Sequence, residues 1–191
     1  MKIVAFNGSA RKNGNTTHLL NLVLEELAAE DIKTELVELA GQPLRGCIAC
    51  YKCFERKNSR CAVEDDMLND CLAKMAEADG ILLGSPTYFA DVSASMKALI
   101  ERSGMVARAN GHLFRRKLGA SVVAVRRAGA SHVFSSLNYF FLIGQMVLVG
   151  SSYWNIGIGR EPGEVLKDEE GVTTMRDLGR NMAWLLKKIK A

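Results

Sequence analysis

The sequence predicts an α/β chain whose parallel sheet of five strands carries helices on both faces. Three observations lead there. Short, uniformly apolar runs alternate with amphipathic segments of helical period along the whole chain. The first run passes through Asn-Gly-Ser straight into leucines at helical spacing, giving strand, glycine-containing turn and helix in succession. At 191 residues, the chain can bury roughly 70% of the surface its unfolded form exposes, so one domain over 1–191 needs no disulfide support.

Taken in order, residues 2–6 form the first apolar strand, and Leu19, Leu20, Val23, Leu24 and Leu27 mark a helix over 17–27. A second strand is expected at 34–39. A helix follows over about 66–77, with Asp65 and Asp66 at its start, where carboxylates complement the helix dipole. The run at 81–84 is apolar throughout, as a doubly covered strand requires. Helix, strand and helix are then expected at about 92–103, 120–125 and about 131–143, followed by a strand at 146–149 and a final helix over about 174–189. No repeat, low-complexity tract or linker divides the chain. The outlier is the insertion at about 40–65, and loops of that length inside compact domains tend to be functional.

No apolar run reaches the roughly 18 residues that a bilayer span requires. The opening "MKIVAFNGSARKNGNT" turns polar where a secretory signal would stay apolar, so a cytoplasmic location is the default expectation. The net charge of +4 is modest, and its basic residues are dispersed apart from Arg115, Arg116, Lys117 and Arg126, Arg127. No aromatic-interleaved basic stripe points to nucleic acid. In a reducing compartment, clustered cysteines are read as metal ligands or redox groups before disulfides.

In an open parallel sheet, ligands bind beyond the carboxyl ends of the strands, where helix N-termini present free backbone N–H groups. The turn "GSARKNGNTT" (8–17) occupies such a place after the first strand. It offers the hydroxyls of Ser9, Thr16 and Thr17, the guanidinium of Arg11 and the amide of Asn15, a set able to surround a phosphate monoester. The bland alternative is a hydrophilic turn capped by Asn15 or Thr16. Neither GxxxxGK[ST] nor GxGxxG follows a strand here, and "GIGREPG" (157–163) has the wrong spacing for the latter, so a mononucleotide suits better than a dinucleotide. In "GSPTYFADVSASMKALIERSG" (84–104), Pro86 stiffens a turn from which Thr87, Tyr88 and Phe89 can aim backbone N–H groups and an aromatic face at a planar ligand. "RRAGAS" (126–131) occupies the matching end of the fourth strand.

Gly8-Ser9-x-Arg11-x-x-Gly14-Asn15-Thr16, then Ser85-Pro86-Thr87-Tyr88, then Met96-Lys97, resemble the NADPH-dependent FMN reductase family of flavodoxin-like proteins. The resemblance covers most of the chain and implies a flavodoxin-like, doubly wound five-stranded parallel sheet of order 2-1-3-4-5. It also implies that Ser9, Arg11, Asn15 and Thr16 bind the phosphate of FMN. Pro86, Thr87, Tyr88 and Phe89 would flank its isoalloxazine, and Ala128 and Gly129 would add contacts. The chemistry would be flavin-centred, with no catalytic side chain assigned.

"CIACYKCFERKNSRC" spaces four thiols as Cys47-x2-Cys50-x2-Cys53-x7-Cys61. Three cysteines at three-residue steps let one tight loop wrap three corners of a cubane, and the fourth returns after a short excursion. The spacing is similar to that of the iron-sulfur flavoprotein branch of the same family, which implies a four-iron four-sulfur (4Fe-4S) cluster on Cys47, Cys50, Cys53 and Cys61. Structural zinc, a redox-active thiol pair and an empty site are the alternatives. Arg45, Lys52, Arg56, Lys57 and Arg60 would offset the charge of a thiolate-bound cluster or steer an acidic electron carrier, or simply solvate the loop. Cys71, inside a helix pattern, reads as a core residue, and Tyr153-Trp154 as packing groups or as a cover over the flavin or a neighbouring subunit.

The expected function is therefore electron transfer from a reduced donor, ferredoxin-like or NAD(P)H, to a small acceptor such as a quinone, oxygen or peroxide. The alternatives are an NAD(P)H-dependent FMN or quinone reductase without a cluster, and a noncatalytic redox-sensing FMN-binding protein. The resemblance further implies a homodimer or homotetramer.

Overall fold

The computed structural model describes residues 1–190. Its central strands are β1 (Lys2–Asn7), β3 (Gly80–Pro86) and β4 (Leu118–Val125), the last two buried along their whole length. β2 (Lys33–Glu38) forms one edge and is only half-buried. All pairings are parallel in the order β2-β1-β3-β4-β5, where β5 is Val147–Leu148, with Val4 beside both Glu35 and Ile81. The expected order 2-1-3-4-5 is what the chain adopts.

Alternate side chains feed two cores. Val4, Phe6, Ile81 and Leu83 point into a layer that includes Leu72 and Met75 of α3 (Leu68–Glu77), Met96 and Leu99 of α4 (Ala94–Ala109) and Leu137 and Phe141 of α5 (Ala130–Ile143). Ile3, Ala5 and Leu82 face Leu20 and Val23 of α1 (Asn15–Ala29) and Leu178 and Met182 of α6 (Glu169–Lys190). Among the described residues, no helix is long and apolar enough to cross a membrane.

The structure departs from the predicted elements most at two places, besides longer runs of α4 and α6. The strand expected at 146–149 is shortened to β5 (Val147–Leu148), which pairs only with Leu118 and Gly119, and β6 (Ile156–Ile158) pairs with Val123–Val125 further along the same edge. The chain loops out between them, and Asn155 bridges the gap: its Nδ2 donates to Ser121 O at 2.9 Å while its carbonyl accepts from Val123 N at 2.9 Å. Tyr153 and Trp154, expected to pack, ride this bulge as an exposed tilted pair with ring centroids 5.1 Å apart. The insertion at 40–65 also holds a single short helix, α2 (Lys52–Arg56), too brief to show a helical period in sequence.

Candidate functional site

At the carboxyl end of β1 the buried side chain of Asn7 organises the turn. Its Oδ1 accepts from Ser9 N at 3.0 Å, and its Nδ2 donates to Thr17 Oγ1 at 2.9 Å and to Glu38 Oε2 at 2.8 Å. Gly8 permits the close approach beneath, since a Cβ there would lie 2.7 Å from Ser93 Oγ and 2.9 Å from Met96 Cβ. Ser9 Oγ accepts from Arg11 N at 3.1 Å, turning the chain toward Gly14, the N-cap of α1. No side chain caps this helix, so its first-turn N–H groups and partial positive charge face the turn. Thr16 Oγ1 is buried there without a hydrogen-bond partner.

Ser9, Arg11, Asn15, Thr16, Pro86, Thr87 and Tyr88 line one cavity of about 340 Å³, a size within the usual range for small-molecule sites. Its remaining wall includes Arg126, from the loop expected at the end of the fourth strand, and residues not singled out in sequence: Ala124 and Val125 of β4, and Gly159-Arg160 after β6. A Cβ on Gly159 would sit 2.5 Å from Val165 N and 2.9 Å from Asn15 Nδ2, so glycine lets that wall close on α1. Arg11 Nη1 donates to Arg160 O at 3.0 Å, latching the two walls. Three guanidiniums, open helix N–H groups and an orphaned hydroxyl fit an anionic phosphate.

Three expectations for this end change. Thr87 N donates to Ala124 O at 2.9 Å and Tyr88 N to Asp91 O at 3.0 Å, so neither backbone donor is free for a ligand. Thr87 offers its buried, unpartnered Oγ1 instead, and Tyr88 its half-exposed ring. Phe89 and Ala90, at φ 48° and 61°, make the tip of a tight turn closed by Tyr88 and Asp91, and Phe89 is fully exposed. Ala128 and Gly129 lie outside the cavity lining; Gly129, at φ 88°, backs the 87–90 turn, where its Cβ would meet Ala90 Cα at 3.0 Å.

The second site lies on α4. Cys47, Cys50, Cys53 and Cys61 all line one pocket, walled by Ile48, Ala49, Val63, Met105 and Val106. Ala49, Tyr51, Lys57 and Ser59 take left-handed φ values between 46° and 60° and turn the segment back on itself, with all four cysteines lining the pocket. Among the described residues, no group of three His, Cys, Asp or Glu side chains is set to hold a single metal ion. Burial raises the Cys53 thiol above its ordinary value, against the backbone N–H groups of Cys53 and Phe54. Cys71 stands apart, buried in the core as expected, its thiol pushed up to about 12 by burial.

The residues that hold this pocket were not singled out in sequence. Asn69 brackets Cys61, accepting from its N at 2.8 Å and donating to its O at 3.1 Å. Arg102, 1% exposed, donates through Nη2 to Cys61 Sγ at 3.3 Å and Val63 O at 3.0 Å, and through Nη1 to Arg45 O at 3.1 Å and to Asp66. Asp66 does precede a helix, and its Oδ1 accepts from Leu68 N at 3.1 Å, but its other oxygen serves Arg102. Burial alone would raise the Asp66 carboxyl; hydrogen bonds from Arg102, Leu68 N and Arg45 N outweigh it and hold the group below its usual range. Arg45, expected to balance a cluster, pairs with Asp65.

The two linings share no residue, and Arg102 lies about 12 Å along α4 from Ala94, at 1.5 Å per residue.

A family model described as NADPH-dependent FMN reductase matches residues 1–161. The chain is 40% identical to an iron-sulfur flavoprotein of Methanocaldococcus jannaschii, with all of both chains covered. It is 31% identical to an iron-sulfur flavoprotein of Methanosarcina thermophila, covering all of this chain and 97% of that one. A solved WrbA-like flavodoxin protein of Agrobacterium tumefaciens superposes with a TM-score of 0.68 at 14% identity, over 98% of this chain and 97% of that one. That likeness shows the fold, which is flavodoxin-like.

Proposed function

The chain belongs to the NADPH-dependent FMN reductase family, in its iron-sulfur flavoprotein branch, and is by that membership a flavin-dependent oxidoreductase; from this premise we propose that it relays electrons between FMN and a 4Fe-4S cluster. The observation that carries the reading is the convergence of all four cysteines on one pocket, apart from a cavity built for a phosphate. The consecutive Cys-x2-Cys-x2-Cys spacing, unlike the two separated knuckles more common in zinc sites, favours a cluster over zinc.

When bound, the flavin exchanges electrons singly or in pairs and the cluster one at a time, so together they join two-electron to one-electron chemistry. Ser9, Arg11, Asn15 and Thr16 hold the FMN phosphate at the N-terminus of α1, assisted by Arg126 and Arg160. Pro86, Thr87 and Tyr88 wall the planar ring. Cys47, Cys50, Cys53 and Cys61 ligate the cluster, and the side chains of Val63, Met105 and Val106 form an apolar wall beside it.

The donor is a ferredoxin-like carrier or NAD(P)H, and the acceptor a small molecule such as a quinone, oxygen or peroxide. A reducing cytoplasm keeps the thiols free to ligate. Because the two sites are separated along α4, a homodimer or homotetramer would let one chain's cluster serve another's flavin. Exposed Tyr139, Leu142 and Ile143 on α5 adjoin Met105 of the cysteine pocket and suit that pairing.

The test is iron, acid-labile sulfide and flavin analysis of protein purified without oxygen, beside Cys50→Ser. The relay requires about four irons and sulfides per chain, lost in the variant while FMN stays. Joint loss of both cofactors would make the motif structural. The family description also supports an NADPH-dependent FMN or quinone reductase without a cluster. Rapid bleaching of the flavin by NADPH, with no iron in wild-type protein, would select that reading.

A further inference from the structure

We infer that Arg102 is a positioning residue that seats Cys61 in the cysteine pocket and raises the reduction potential of the cluster held there. The inference rests on the cluster reading above. Arg102 is the largest side chain buried almost completely in the fold. Its guanidinium remains charged at any ordinary pH and presents donors in a planar fork. All four terminal N–H groups are used: two reach Arg45 O and Asp66, and two reach Cys61 Sγ and Val63 O. Only Nε is without a partner.

Those acceptors come from three separate stretches: two of the insertion, one before Cys47 and one around Cys61, and Asp66 just ahead of α3. A single side chain on α4 therefore draws both ends of the cysteine segment onto the body of the protein. Cys61 is gripped twice, since Asn69 holds its N–H and C=O while Arg102 holds its sulfur. Cys47 and Cys50 are exposed, by contrast.

Reducing the cluster by one electron adds one unit of negative charge next to the Cys61 sulfur. Asp66 balances the guanidinium, but the donor aimed at the sulfur comes from the cation, so the more negative state gains the stronger hydrogen bond. Lysine could keep the charge but could not reach four acceptors from one plane.

The experiment compares wild-type protein with Arg102→Lys and Arg102→Gln. A third variant, Arg102→Gln with Asp66→Asn, removes both buried charges and covers the case in which the single change prevents folding. Two readings are taken. An EPR-monitored redox titration of the reconstituted protein is expected to show a fall in cluster potential in Arg102→Gln. The expected size is about a tenfold change in the reduction equilibrium, 59 mV for one electron, with a smaller fall in Arg102→Lys. Hydrogen exchange on cluster-free, reduced protein is expected to show at least about tenfold faster exchange at residues 61–66, with β3 unchanged.

A potential and an exchange pattern both unmoved in the glutamine variants would overturn the inference while leaving the cluster reading intact. Wild-type protein that takes up no iron and sulfide would overturn that reading and the tuning with it. The exchange measurement judges the seating of Cys61 without any cluster.

Discussion

Replacing Thr16 by valine should make the flavin-free protein more stable and the flavin-binding protein weaker. Thr16 Oγ1 is buried at the first turn of α1 with no hydrogen-bond partner in the protein. A hydroxyl in that position costs about 1–3 kcal/mol of desolvation, and valine fills nearly the same volume with no polar atom. Both residues are β-branched, so helix propensity changes little. Cluster-free, FMN-free protein carrying Thr16→Val is therefore expected to unfold at higher denaturant concentration, by about 1 kcal/mol or more. A phosphate in the cavity would accept the hydroxyl in a charge-assisted bond of about 1.5–3 kcal/mol. Its loss should weaken FMN binding by about 10- to 150-fold, at 1.4 kcal/mol per factor of ten. Urea unfolding of the apoprotein and fluorescence titration with FMN measure the two effects, with riboflavin, which lacks the phosphate, as the control. The opposite signs are the signature. Valine that destabilises the apoprotein, or weakens riboflavin as much as FMN, would refute the placement of the phosphate at Thr16.

Two more expectations concern the frame around the sites. Gly159→Ala should lower FMN affinity and cost about 1–3 kcal/mol of stability, because the new Cβ would meet the backbone N of Val165 at 2.5 Å; FMN titration and thermal unfolding check both. Glu26, on α1, accepts from Arg176 at 2.8 Å and Arg180 at 3.0 Å on α6. Chiefly through Arg176, and against burial, its carboxyl is held below its ordinary 4.5. A depressed acid contributes stability that is fully present above pH 4.5 and lost as pH falls through the folded value. Glu26→Gln should therefore flatten the acid limb of a denaturant-stability profile and leave m-values unchanged.

Much of this protein was legible in one dimension because the signals are local. Uniformly apolar runs marked β1, β3 and β4, since strands covered on both faces have no polar side. The turn at 8–17 displayed its donors, since a phosphate cradle is built from adjacent residues. The cysteine spacing pointed to a shared ligand set, since a tight loop can wrap a cluster only at such steps. What stayed hidden depends on distant segments meeting. Gly159 and Arg160 closed the cavity only because β6 takes over the edge that β5 abandons, and the expected packing of Tyr153 and Trp154 failed at that same bulge. The backbone donors of Thr87 and Tyr88 looked free until Ala124 and Asp91 claimed them. Arg102 carries no signal of its own in the helix expected over about 92–103, because nothing within four residues shows that its face is covered. Its partners Arg45, Cys61, Val63 and Asp66 lie 36 to 57 residues away. Spacing along the chain thus determined which residues could bind; only tertiary packing decided which of them are buried together, because burial depends on neighbours that local sequence does not contain.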